Sequence, residues 1–164
     1  MTHDRMAIAG GLTLAEAESV VASTSEGWTF RAHRKIYYPY FWFHLRYTTR
    51  TLLGNSSVRL SCLVDTRTGL TSTTDPFELE RVDVNPGAVL GSRLAEDDAL
   101  RIAHRYGAHA VLHKRKALVV PDVTVVERGL VHKLFWIVDG RKRRQSSFRV
   151  LVDGVTGAFH VLRH

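Results

Sequence analysis

The hydrophobic and polar positions of this chain run through one order twice: a helical spacing, then strand-like runs, then a strand closing on Asp-x-x-Thr-Gly. In the first half, Leu14, Ala17, Val20 and Val21 recur at helical intervals behind Thr13-Leu-Ala-Glu16. That tetrapeptide is a capping box, in which the threonine oxygen takes an early amide and the glutamate reaches back. The helix is predicted to stop near Ser25-Glu-Gly27. Trp28 to Tyr47 is aromatic and β-branched and reads as one or two strands broken near Pro39. Turn chemistry at Leu53-Gly-Asn-Ser-Ser57 leads into a strand over residues 58–65.

The second half repeats the order. Leu94-Ala-Glu96 matches Leu14-Ala-Glu16, and Arg93 to about Tyr106 is predicted helical, with Glu96, Asp97 and Asp98 where the helix dipole favours acids. Gly107 falls near the end of this helix, and Ala108 to Lys116 fits either a strand or more helix. Residues 117–126 and 130–138 read as strands separated by Glu127-Arg-Gly129. Asp139-Gly140 opens a hairpin turn, and strands follow over 147–152 and 158–162. Between the halves, residues 75–92 hold Pro76 and Pro86 among apolar side chains, so this connector is expected to be ordered.

The strand ends are the closest echo. Val58 to Gly69 closes on Asp65-Thr-Arg-Thr-Gly69, and Phe148 to Gly157 closes on Asp153-Gly-Val-Thr-Gly157. An aspartate opening a tight turn accepts the amides that follow it, and a glycine four residues on takes the positive φ. A catalytic or metal-binding pair of aspartates would need neighbouring ligands, which the sequence does not supply. A helix followed by strands, the last ending in Leu63-Val-Asp65-Thr-Arg-Thr-Gly69 or Leu151-Val-Asp153-Gly-Val-Thr-Gly157, resembles the PepSY family and its cystatin-like relatives. The resemblance implies a non-catalytic domain that inhibits or regulates peptidases, typically outside the cytoplasm. This chain departs from that pattern in its basic charge and in lacking an apolar N-terminal stretch long enough for export.

Composition changes the picture only in its charge. With 164 residues, 45% of them hydrophobic, the chain is ordinary globular material able to bury a continuous core. The net charge of +7 sits wholly in the second half. Residues 1–98 carry 10 basic against 12 acidic side chains, and residues 99–164 carry 13 against 4. Such asymmetry favours an anionic partner for that half. Basic clusters stand at Arg31, Arg34 and Lys35, at Lys114, Arg115 and Lys116, and at Arg141, Lys142, Arg143 and Arg144. The last follows Asp139-Gly140, and at a hairpin tip four cations face water or phosphate.

The aromatic run Ile36 to Leu45 would put Tyr38, Tyr40, Trp42 and His44 on one strand face and Tyr37, Phe41, Phe43 and Leu45 on the other. A strand apolar on both faces is expected to be covered on both. Single Cys62 reads as a small buried hydrophobe, and with one cysteine no intrachain disulfide exists, which points to a reducing compartment. His109 and His113 stand four apart without a third ligand, so no metal is expected. No phosphate-cradling glycine loop or nucleophile elbow is present, so no enzyme and no cofactor is expected.

These residues predict an α+β fold of two tandem cystatin-like repeats, each a helix across an antiparallel sheet, packed as one compact unit. Residues 12–74 form the first repeat, 75–92 an ordered connector and 93–164 the second. The expected function is a non-enzymatic, cytoplasmic binding or adaptor module without a transmembrane segment. Its basic face, Lys114, Arg115, Lys116, Arg141, Lys142, Arg143 and Arg144, would take nucleic acid or another polyanion. The alternative is a PepSY-like regulatory module that meets a protein partner through Tyr37, Tyr38, Tyr40 and Trp42, as a homodimer.

Overall fold

The computed structural model describes residues 3–115 and 121–162. Among them are two α-helices and eight strands joined in one sheet, so the chain is mixed α+β. In chain order these are β1 (His3–Ile8), α1 (Leu14–Ala22), β2 (Thr29–Thr51), β3 (Gly54–Asp65), β4 (Thr71–Thr73), β5 (Leu79–Val84), α2 (Glu96–Arg115), β6 (Asp122–Arg141), β7 (Phe148–Asp153) and β8 (Phe159–Leu162), with a 3-10 turn over Pro86–Ala88 before α2. The chain clusters into two compact units, and each draws on both sequence halves. One comprises Met1–Tyr38, Phe77–Gly91 and His132–His164, the other Pro39–Pro76 and Ser92–Val131.

In the second of these units, the helix of the later half lies on the strands of the earlier half. Phe41, Phe43, Leu45 and Tyr47 alternate along β2 and are buried, with Cys62 and Val64 of β3, against Ala99, Ala103 and Val111 of α2. β2 and β3 pair antiparallel from Tyr40↔Asp65 to Thr51↔Gly54, and β4 adds to the far side of β3. On α2 the spacing of Ala99, Ala103, Gly107 and Val111 is a stripe four residues apart, small enough to bring the helix close to the aromatic strand. The helix therefore runs through Gly107 rather than ending there. A Cβ at that position would lie 2.7 Å from Cζ of Tyr47, which is wholly buried.

In the other unit, the capping box forms as the sequence predicts. Glu16 Oε2 accepts from the Thr13 amide at 2.7 Å and Thr13 Oγ1 accepts from the Glu16 amide at 3.3 Å. Ala17 and Val21 of α1 pack on Phe30, Val138, Val150 and Val152, so this helix of the earlier half covers strands of the later half. β7 pairs with β6 on one side and β8 on the other. A smaller core of Ala7, Tyr37 and Val84 holds the β1–β5 pair, which runs antiparallel from His3↔Val84 to Ile8↔Leu79. The sequence reading missed β1 altogether, because six residues with only Met6, Ala7 and Ile8 apolar give no clear period.

Four local readings are corrected. β2 is one strand of 23 residues that passes through Pro39. The β3 ladder begins at Tyr40, so the missing N–H of Pro39 breaks no bond on that side. The turn after β2 is Leu52-Leu53, and Gly54 to Ser57 already belong to β3. β6 is likewise one strand of 20 residues, with Glu127-Arg-Gly129 inside it. Asp139-Gly140 lies within β6 and opens no turn. A Cβ on Gly140 would meet the Phe30 and Phe148 rings at 2.8 and 2.9 Å, so the glycine is there for ring packing.

Burial along β2 changes phase within the first unit. Phe30 is buried at an even position and Tyr37 at an odd one, while the adjacent Arg34 and Lys35 are both exposed. His33, Arg34 and Lys35, three consecutive exposed residues, separate the two phases.

Candidate functional site

The two Asp-x-x-Thr-Gly segments fold into twin turns. Asp65 Oδ1 accepts the amides of Arg67 and Thr68 at 2.8 and 3.1 Å. Asp153 Oδ1 accepts those of Val155 and Thr156 at 2.9 and 3.0 Å. Gly69 and Gly157 have φ of 75° and 76°, and each donates its amide to the aspartate carbonyl at 2.9 Å. One oxygen of each carboxylate is thus engaged by its own turn. Asp153 has a further partner: Lys133 Nζ stands 2.5 Å from its Oδ2, with both side chains largely buried. Burial works to raise the Asp153 pKa, but Lys133 and the Thr156 and Val155 amides outweigh it and hold the carboxyl below the ordinary aspartate value.

The first unit carries a cleft of about 420 Å³ on the β2 and β6 strands, lined by Thr29, Arg31, Ala32, His33, Asp139 and Arg141. A second hollow of about 280 Å³ shares Asp139 and Arg141 and adds Ser147, Phe148 and Arg149. The alternation of strand side chains explains the lining. Phe30 and Val138 turn toward α1, so Arg31, Asp139 and Arg141 turn to the opposite face. Asp139 is directly across from Arg149 in the β6–β7 ladder, and Arg149 Nε donates to Asp139 Oδ1 at 3.0 Å. His33 Nδ1 lies 3.8 Å from the other oxygen. Among the described residues, neither Arg31 nor Arg141 has an acid within ion-pair distance. The two hollows together therefore set three guanidiniums and an imidazole around a single carboxylate.

The predicted basic residues divide. Arg141 lines both hollows from within β6, and not from a hairpin tip. Lys142 leans over the Trp28 ring, its Nζ 5.9 Å from the centroid, while Trp28 itself packs edge-on against Phe148 at 4.7 Å. Arg143 and Arg144 are exposed in the turn that follows, Arg144 with a φ of 67°. Lys116 lies outside the described residues, as do the side chains of Lys114 and Arg115. Arg31 and His33 complete the cleft, and Arg149 was not singled out in the sequence. Its partnership with Asp139 becomes visible only once β7 is in register with β6.

The aromatic residues also divide. Tyr37 is 8% exposed and belongs to the core with Ala7 and Val84, where burial first, and Glu80 second, raise its pKa. Tyr38, Tyr40 and Trp42 alternate on the other face of β2 and are half-buried, Tyr38 edge-on to Phe135 at 6.0 Å. His44 on that face makes a 2.6 Å bond with Ser61 of β3. Cys62 is fully buried, and burial pushes its thiol up to about 11.

His109 and His113 meet edge to face at 4.7 Å, and no three His, Cys, Asp or Glu among the described residues converge as metal ligands. No described helix is long and apolar enough to cross a membrane. Comparisons of this chain with protein-family models, with curated proteins and with solved structures find no match.

Proposed function

We propose that this protein is a non-enzymatic binding module whose basic cleft takes an anionic ligand, nucleic acid or another polyanion, between β2 and β6. The observation that carries the reading is the unpaired charge of Arg31 and Arg141 beside the Asp139–Arg149 pair. On a concave, solvent-facing surface two such guanidiniums favour phosphate or carboxylate oxygens, to which arginine donates in pairs. The reading carries with it a cytoplasmic site of action and an architecture of two cystatin-like repeats. The twin turns support the repeats. α2 lies on β2 and β3 of the earlier half, and α1 on β6 and β7 of the later half as well as on Phe30 of its own; the PepSY resemblance enters here as an analogy of architecture only.

The test is a titration of fluorescent single-stranded RNA and of inorganic polyphosphate at several salt concentrations. The apparent affinity should fall steeply with salt, and the double substitution Arg31→Glu, Arg141→Glu should weaken binding by at least about tenfold per arginine. Both residues lie on an exposed face, so the fold should survive. Salt-independent binding, or binding unchanged in the double variant, removes the reading. A second reading rests on the half-buried Tyr40 and Trp42 of β2: a regulatory contact with a protein partner, or a homodimer, formed there. It requires that Tyr40→Ala lower the solution mass seen by light scattering or the capture of such a partner.

A further inference from the structure

The hairpin between β2 and β3 ends in two leucines with no neighbours. Leu52 is 107% exposed and Leu53 101%, in a turn closed by the Thr51↔Gly54 pair. The turn itself does not ask for them. Gly54, with a φ of 117°, takes the left-handed position, and tight hairpin turns ordinarily carry Asn, Asp or Gly at their centre. Two adjacent leucines held in water forgo the stabilisation that burial would give each of them.

The flank of the same hairpin is uniformly positive. From Gly27 to Val64 the sequence contains no Asp or Glu. Arg46 stands directly opposite Arg59 in the ladder, and Arg50 follows on the same strand face nearer the tip, opposite Asn55. Two like charges directly across a ladder destabilise it unless an anion lies between them. The opposite face, through Leu45 and Tyr47, is committed to the core under α2. The free face therefore offers three guanidiniums, with Thr48 and Ser57 among them, behind an apolar point.

We propose that this hairpin docks on an anionic phospholipid surface, with Leu52 and Leu53 entering the boundary between headgroups and acyl chains. Arg50 lies about 7 Å along the strand from Leu52 and the Arg46–Arg59 pair about 20 Å, at roughly 3.3 Å per residue. The hairpin must therefore lie tilted, its free face toward the headgroups, for all three cations to reach phosphate. A nucleic-acid groove shares the phosphate chemistry and takes an apolar wedge between base steps. Two adjacent leucines, both projecting freely, are buried together more completely by an acyl layer than by one base step. The proposal is independent of the cleft in the other unit.

The test is co-sedimentation with phosphatidylcholine vesicles, with and without phosphatidylserine. The protein should bind only the anionic vesicles, and the double variant L52S/L53S should partition about a hundredfold less, near tenfold per leucine. These side chains touch no core residue, so folding is not at stake. In a second measurement L53C is labelled with an environment-sensitive dye, buried Cys62 being protected from the reagent, and the dye should brighten on the anionic vesicles. Absence of binding to those vesicles, binding unchanged in L52S/L53S, or a silent dye each overturns the proposal. So does a hairpin dependence found with duplex DNA and not with vesicles.

Discussion

At the scale of single residues, the twin aspartates show how one local code acquires different weight from its surroundings. Asp65 and Asp153 make the same two amide bonds and precede the same left-handed glycine, and that much follows from Asp-x-x-Thr-Gly alone. The ion pair with Lys133 was invisible, because it depends on β6 and β7 lying side by side with Phe135 opposite Asp153. A carboxyl whose folded pKa is lowered contributes stability above its unfolded value, near pH 4, and loses it as pH falls through the folded value. Lys133→Met should cost about 1.5–3 kcal/mol at neutral pH, the range of a hydrogen bond to a charged group. It should also flatten the stability loss below pH 4. Urea unfolding of both proteins at neutral pH and through the acid range measures the two effects, and equal acid slopes would mean that Lys133 does not hold the Asp153 carboxyl ionised.

Elements were legible where one periodicity ruled and were misread where glycine or proline served packing. The capping box set the start of α1, and the acids of Glu96, Asp97 and Asp98 opened α2. Gly107 and Gly140 carried the marks of a helix stop and a hairpin turn, yet both exist because aromatic rings press against them. No spacing within the helix discloses that Tyr47, sixty residues away in sequence, lies there. The two demands on Gly107 can be set against each other. Alanine would gain roughly 1 kcal/mol of helix propensity. Against a wholly buried Tyr47 that cannot withdraw, the added methyl overpacks the core at about 1–3 kcal/mol. Gly107→Ala should therefore destabilise, and Tyr47→Phe, by removing the hydroxyl that lies nearest, should recover part of the loss. A double-mutant cycle by urea unfolding reads the coupling, and stabilisation by Gly107→Ala would show that the ring gives way.

At the scale of the whole molecule, the sequence announces two helices and two sets of strands but not which helix covers which strands. Periodicity along a strand states that Phe41, Phe43, Leu45 and Tyr47 need a cover; it cannot name the cover. The nearer helix in sequence is α1, yet the cover is Ala99, Ala103 and Val111 of α2, while Ala17 and Val21 of α1 close over Val138, Val150 and Val152. The basic cleft follows from the same exchange, since Arg31 comes from the earlier half and Asp139, Arg141 and Arg149 from the later. Each half of the chain alone then leaves its strands open on the face its own helix does not reach. Three fully buried side chains, Phe43, Leu45 and Tyr47, would face water in a fragment ending at Ser92. At 1.5–3 kcal/mol for each such side chain, that exposure is comparable to the net stability of a small domain. Fragments 1–92 and 93–164, produced separately, should therefore show neither cooperative thermal unfolding nor dispersed amide resonances. Mixed at equal concentration they should regain both, because each supplies the helix the other lacks. Cooperative folding of either fragment by itself would mean that α1 can close over its own strands.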